Sequence, residues 1–210
     1  MKRKLKILFQ GDSITDCHRD RSDIHNLGQG YPYYAAQMLT ERYPDIDFEF
    51  VNLGISGNRT PDLVSRLESD FVEIQPDICS ILIGVNDTWH EKAEIRNGVE
   101  VERYAVIYDM LLEWTVKTLP QIKLVLMEPF VLETGAVSAD WLPEIAARGA
   151  VVKELAEKYN AVFIPCQQIV NDAAAKAGTA DLILRDGVHP SLMGHQVLAD
   201  AWLKYAGHLI

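Results

Sequence analysis

Cysteine is scarce in this chain. Cys17, Cys79 and Cys166 lie far apart among 210 residues, and no Cys-x-x-Cys occurs. That spacing argues against a disulfide framework and a structural zinc site. Positive charge is short as well: 20 Lys and Arg face 30 Asp and Glu, a formal charge of −10. An acidic surface repels phosphate backbones and anionic lipid, so neither nucleic acid nor a membrane is an expected partner. No apolar run approaches the ~20 residues of a membrane span. The basic start Met1-Lys2-Arg3-Lys4 hints at a secretion signal, but the apolar run behind it is short, contains Lys6, and leads straight into Gly11-Asp12-Ser13. Internal repeats, low-complexity tracts and flexible linkers are also missing. The expectation is one cytoplasmic domain over residues 1–210 with reduced thiols.

What is present is a regular alternation. At 48% hydrophobic, the chain can fill a full core. Apolar runs at 4–9, 47–53, 78–83, 122–127 and 161–165 read as strands buried on both faces. Helical patterns fall near 33–43, 61–70, 102–118, 141–158, 167–177 and 192–206. Thr60-Pro61 pairs a capping hydroxyl with a proline suited to the first helical turn. Pro120 ends the long middle helix at the residue before it. Strand–helix alternation implies right-handed crossovers, hence an α/β fold: a five-stranded parallel sheet between two helical layers. Ligands bind beyond the carboxyl ends of such strands. Three irregular loops are expected on that edge, at 16–30, 87–99 and 128–140, where specificity would reside.

Ser13 follows the first strand in Gly11-Asp12-Ser13-Ile14-Thr15. A free hydroxyl is a poor nucleophile at neutral pH and needs a base. His189 is the best candidate, because Asp186 stands three residues before it and one turn can present both. The same Asp-Gly-Val-His-Pro string also reads as an ordinary turn capped by Asp186. Oxyanion donors are at hand in the backbone N–H groups of Ser13 and Gly57 and the amide of Asn86. Singly, Gly57 reads as a turn glycine and Asn86 as an Asx-turn; jointly they point to a serine esterase. Asp12 invites the role of general base or of substrate contact, but a neighbour in sequence usually points elsewhere, and a structural role in the turn is the better reading. Asp87 is expected to brace its loop. Trp89, His90 and Trp141 either stack on a sugar ring or cover the core. Trp114 and Trp202 fall in helical periodicities and are expected inside. Arg19, Arg21 and Arg59 fall on the active-edge loops, where one could contact a substrate oxygen but each singly reads as solvated, and His195 reads as a packed or surface histidine. The His189–His195 spacing lacks a third or fourth metal ligand, so no metal and no cofactor is expected. The glycine spacing and lysine of a phosphate loop are absent from 11–15.

In these blocks the chain resembles the SGNH (GDSL-type) hydrolase superfamily over nearly its whole length. They are Gly11-Asp12-Ser13-Ile14-Thr15, the Gly57 block, Gly84-Val85-Asn86-Asp87 and Asp186-Gly187-Val188-His189. The resemblance implies a flavodoxin-like three-layer sandwich, a metal-independent ester hydrolase, Ser13, Asp186 and His189 as triad, and Ser13, Gly57 and Asn86 as oxyanion hole. Asn52–Asn58, Ile83–Trp89, Pro129-Phe130 and Val188–Ser191 are similar to a narrower branch, the intracellular bacterial acetylxylan esterases. That branch implies acetylated xylo-oligosaccharide as substrate and a homo-oligomer. One departure stands out: the branch carries an aromatic residue before the triad aspartate, where this chain has Arg185. Arg185 therefore joins Asp12 and Trp89 as a candidate substrate contact. The alternatives are a thioesterase, lysophospholipase or arylesterase of the same superfamily, or a carbohydrate-binding protein without turnover.

Overall fold

The computed structural model describes residues 2–93 and 96–210. Five strands form one parallel sheet in the order β2-β1-β3-β4-β5. They are β1 (Arg3–Gly11), β2 (Ile46–Asn52), β3 (Ile78–Leu82), β4 (Lys123–Met127) and β5 (Val162–Ile164). Side chains alternate across a strand, so each central strand feeds two cores. Leu5, Ile7 and Phe9 of β1 join one core, while Leu8 joins the other. In β4, Val125 and Met127 face the first core, and Leu124 and Leu126 the second. Helices α2 (Tyr31–Arg42), α7 (Cys166–Ala177) and α8 (Leu192–Ala206) cover the first. The second lies beneath α3 (Thr60–Ser65), α5 (Val101–Thr118) and α6 (Leu142–Lys158). The three-layer sandwich expected from the strand–helix alternation is thus the architecture found.

Several expectations need correction. The edge strand β2 is not buried on both faces: its residues alternate between half-buried and exposed until Val51 and Asn52. An edge strand has one hydrogen-bonding flank and part of each face open to water, so Asp47 and Glu49 are tolerated there. Trp114 is 51% exposed rather than internal. Helix α5 spends its inward face on Tyr104, Tyr108, Leu111, Leu112 and Thr115, which leaves Trp114 outside with Lys117 Nζ 5.3 Å from its ring. Trp202, by contrast, is fully buried and donates its indole N–H to Ser80 Oγ at 3.0 Å.

The third correction concerns the stretch expected as a loop at 87–99. Val85–Lys92 is a helix, α4, while positions 94 and 95 of that stretch lie outside the described residues. Asn, Asp and Thr weaken a helix because their side chains compete for its backbone. Here the competition is removed by distant partners. Asp87 accepts from Thr60 N–H at 3.1 Å and from Thr60 Oγ1 at 2.7 Å, and Thr88 Oγ1 accepts from Arg148 Nε at 2.8 Å. The Thr60 hydroxyl is therefore a donor to Asp87 and does not cap α3. Asp87 does brace the region, as expected, but it ties α3 to α4 and does not merely close its own loop.

The chain winds from β1 to β2 on one side and to β3 on the other, so β1 and β3 flank the point where the winding reverses. A crevice opens there at the carboxyl ends of the strands. Residues 11–17 follow β1, and α4 follows β3.

Candidate active site

Ser13 is the first residue of a four-residue helix, α1 (Ser13–Asp16), so its N–H has no intrahelical partner. Asp12 caps that helix, accepting from Ile14 N–H at 3.0 Å. It is 1% exposed, which corrects its assignment as a substrate contact: one carboxylate oxygen is used locally and the side chain faces the interior. Burial pushes the Asp12 carboxyl up to about 7, against the lowering pull of its hydrogen bond with Ile14.

The Ser13 hydroxyl lies 2.9 Å from His189 Nε2, although 176 residues separate the two. On the other side of the ring, His189 Nδ1 is 2.7 Å from Asp186 Oδ2. The second Asp186 oxygen accepts the N–H groups of Val188 at 3.0 Å and of His189 at 2.7 Å. The turn and the catalytic reading of Asp-Gly-Val-His are both true: one oxygen holds the turn and the other orients the imidazole. Burial raises the Asp186 carboxyl, but the donors from His189 and Val188 prevail and hold it below the usual carboxylate range. Gly187 makes the turn possible. Its φ is +89°, and a Cβ would stand 2.4 Å from Thr134 O and 2.6 Å from Leu132 O.

Two further segments meet Ser13. Beyond β2 the chain keeps pairing with β1, Ile55 N–H donating to Gly11 O at 3.1 Å. Ser56 N–H then donates to Asp16 Oδ2 at 2.9 Å, which fastens the Gly57 loop to α1. Gly57 has φ +84°, and no atom lies within 4 Å of where its Cβ would be. Its glycine is thus required by conformation and leaves that side of the backbone open to a ligand. Asn86, 7% exposed near the start of α4, gives one amide proton to Asn58 O at 3.0 Å. That bond fixes the amide and leaves a second proton free. The serine, the Gly57 loop and Asn86 are therefore linked by tertiary hydrogen bonds and not by their own local turns. Asp16, which the sequence did not single out, is the joint between two of them; no local spacing announces it.

Trp89 sits on α4. Its ring meets Trp141 edge-on, centroids 5.4 Å apart, and lies 5.9 Å from the His189 ring. It both packs against the core and flanks the imidazole. A cleft of about 1030 Å³ includes Ser13, His189, His195, Arg19, Arg21 and Arg185 in its lining. Arg19 is not solvated as expected: it is 8% exposed and donates Nε to Gly54 O at 2.8 Å. Arg21 pairs with Asp16 at 2.5 Å and Arg59 with Asp62 at 3.0 Å.

His195 is buried, as one of its two readings had it. Tyr31 N–H donates to its Nδ1 at 3.1 Å, so the ring proton sits on Nε2, 3.3 Å from Cys17 Sγ. Burial and the nearby charges of Arg185 and His189 lower it from 6.5 to about 4. The unfolded chain therefore takes up a proton that the folded chain refuses between about pH 6.5 and pH 4, and this residue's contribution to stability is lost as pH falls through that window. Because one unit is worth about 1.4 kcal/mol, the loss approaches about 3 kcal/mol. Asp12 has the opposite slope between about pH 4 and 7, so the two must be separated by a variant. In urea titrations from pH 7 to pH 4, His195→Gln is expected to lose less stability than the parent, so that the gap between the two narrows as pH falls. A gap that stays constant would show that folding does not shift the titration of His195.

Among the described residues no cluster of three or more His, Cys, Asp or Glu side chains could hold a metal, and no helix is long and apolar enough to cross a membrane.

Comparisons with known proteins place the chain in a family. Residues 9–197 match the profile of the GDSL-like lipase/acylhydrolase family. The chain is 38% identical over 208 residues to an acetylxylan esterase of Geobacillus stearothermophilus, covering 96% of this chain and 94% of that protein. A crystal structure from Parabacteroides merdae described as a GDSL-like lipase superposes with a TM-score of 0.93 at 39% identity, covering 99% and 97% of the two chains. A crystal structure of a Geobacillus acetylxylan esterase gives 0.86 at 35% identity over 97% and 95%. In that esterase a serine, a histidine and an aspartate have each been replaced by alanine in variants described as catalytic mutants.

Proposed function

The chain belongs to the GDSL-like lipase/acylhydrolase family of ester hydrolases, and from that premise we propose that it removes acetyl groups from sugar hydroxyls through a covalent serine intermediate. The observation that carries this reading is the unbroken contact chain from Ser13 Oγ to His189 Nε2 at 2.9 Å and from His189 Nδ1 to Asp186 at 2.7 Å. His189 takes the Ser13 proton as Oγ attacks the ester carbonyl. The oxygen of the tetrahedral adduct becomes negative and is met by the N–H groups of Ser13 and Gly57 and the free amide proton of Asn86. As the adduct collapses, the C–O bond to the sugar breaks and His189 returns its proton to the leaving alkoxide. Water then repeats the sequence, His189 takes its proton, and acetate departs from Ser13. Asp186 stays ionised throughout and orients the ring.

Trp89 flanks the imidazole and is itself backed by Trp141, and the cleft that includes Ser13 and His189 has room for a sugar beside a small acyl group. The likeness to acetylxylan esterases supports acetylated xylo-oligosaccharides as the substrate class. The test is acetate release from acetylated xylo-oligosaccharides, set beside 4-nitrophenyl esters of rising chain length. Release of acetate with falling rates on longer acyl chains is expected. A preference for long chains or thioesters would move the assignment within the family, and no turnover of any ester would end it.

Asn86→Ala tests the oxyanion hole. Loss of one such donor costs on the order of 10²–10³ in kcat, with KM little changed because the donor serves charge that exists only in the adduct. A fall confined to KM would remove Asn86 from the hole.

A further inference from the structure

The cleft beside Ser13 is positively charged in an acidic protein. Its lining holds Arg19, Arg21 and Arg185 against one carboxylate, Asp16, while the whole chain carries −10. Asp16 is already committed to Arg21 at 2.5 Å and to Ser56 N–H at 2.9 Å. Arg19 donates Nε to Gly54 O, but its buried Nη1 has no hydrogen-bond partner among the described residues. Arg185 is exposed at the cleft. Its backbone N–H donates to His189 O at 3.0 Å, which locks the residue next to the triad. Among the described residues no ion pair or hydrogen bond engages its guanidinium. The side chain is part of the cleft lining, together with Cys17 and His195.

Local cations in a negative field concentrate anionic ligands where they are needed. An acetyl group carries no charge and fills little of about 1030 Å³. A charge recognised there belongs to the alcohol half of the ester. The same cleft includes Tyr33 and Tyr34, planar faces suited to a sugar ring.

We propose, on the basis of the esterase reading above, that the substrate's alcohol half carries an anion, a carboxylate or a phosphate, and that Arg185 is the specificity-determining residue that binds it, with Arg19 adding positive charge to the same cleft. Arginine suits either anion because its fork of donors matches two oxygens at once.

The experiment compares kcat/KM for three acetylated methyl glycosides: a neutral xyloside, a uronate with a free carboxylate, and a 6-phosphate. A charge-assisted hydrogen bond at a solvent-open site sets the expected preference for an anionic ester at about tenfold over the neutral one. The preference should shrink at about 1 M salt, where the screening length is about 3 Å. Arg185→Gln should bring the anionic-to-neutral ratio toward unity, and Arg185→Lys should restore part of it. Which of the two anionic esters leads identifies the source of the charge. Equal rates on neutral and anionic esters would overturn the proposal, as would a ratio unmoved by Arg185→Gln. Ser13-dependent hydrolysis of 4-nitrophenyl acetate alongside no turnover of either anionic glycoside would overturn it while leaving the esterase reading intact. Absence of all three activities and of 4-nitrophenyl acetate hydrolysis would sink both.

Discussion

Ser13→Ala yields a folded protein whose turnover has fallen by about 10⁴–10⁶. The size of the loss follows from what the hydroxyl does: without Oγ there is no acyl-enzyme, and His189 has only water to activate. The fold should not notice. Ser13 opens α1, but Asp12 caps that helix and Asp16 ties it to the Gly57 loop, and neither bond uses the Ser13 side chain. Ser13 is half-buried and, among the described residues, its hydroxyl pairs with His189 alone, so a stability change within about 0.5–1 kcal/mol is expected. Acetate release and a thermal melt on the same sample check both halves. Some rate above that in water should survive, since the oxyanion donors remain in place. Turnover within tenfold of the parent would mean that another group attacks the ester.

Asp186→Asn should cost on the order of 10⁴ in kcat at nearly unchanged stability. The two carboxylate oxygens do different work. Oδ1 accepts the N–H groups of Val188 and His189, and Oδ2 accepts from His189 Nδ1. Asparagine keeps its carbonyl oxygen on the two backbone donors, so the turn survives. Its NH₂ group then faces Nδ1 and makes that nitrogen an acceptor. The ring proton moves to Nε2, which points a donor at Ser13 where a base is required. Asp186→Ala behaves differently. It leaves two N–H groups without an acceptor and adds a stability loss of about 1–3 kcal/mol, moderated by water because the Asp186 side chain is 40% exposed. The pair of variants therefore separates the catalytic oxygen from the structural one. An asparagine variant that keeps a tenth or more of the parent rate would show that Asp186 holds the turn and does not set the tautomer.

The parts of this site that announced themselves did so through short-range chemistry. Short β-rich runs separated by helical periods are enough to imply a parallel sheet, because a strand inside such a sheet is apolar on both faces and its crossover needs a helix, and the edge strand β2 departs from that by exposing Asp47 and Glu49. Asp186 and His189 stand one turn apart, so their pairing is a local event. Nothing local, however, separates a turn serine from a nucleophile. That distinction is the 2.9 Å approach of residues 176 positions apart, set by where β1 ends and where the chain re-enters before α8. Asn86 is similar: alone it fits an Asx-turn, and only Asn58, 28 residues away, turns its amide into a fixed donor.

Several assignments were beyond local patterns for the same reason. Asp87 and Thr88 weaken a helix until Thr60 and Arg148 satisfy them, so α4 exists by tertiary contact. Arg19 looks like any solvated arginine until Gly54 O takes its Nε inside the cleft. Asp12 neighbours the nucleophile yet points inward, since successive residues on a tight turn face different ways. Trp114 shares its helix with buried aromatics yet lies outside, because α5 has only one face against the sheet. Hydrophobic period and turn chemistry act over a few residues and are written in order along the chain. Burial, charge compensation and the meeting of distant loops depend on which surfaces the packed layers bring together, and in this protein those surfaces complete the site.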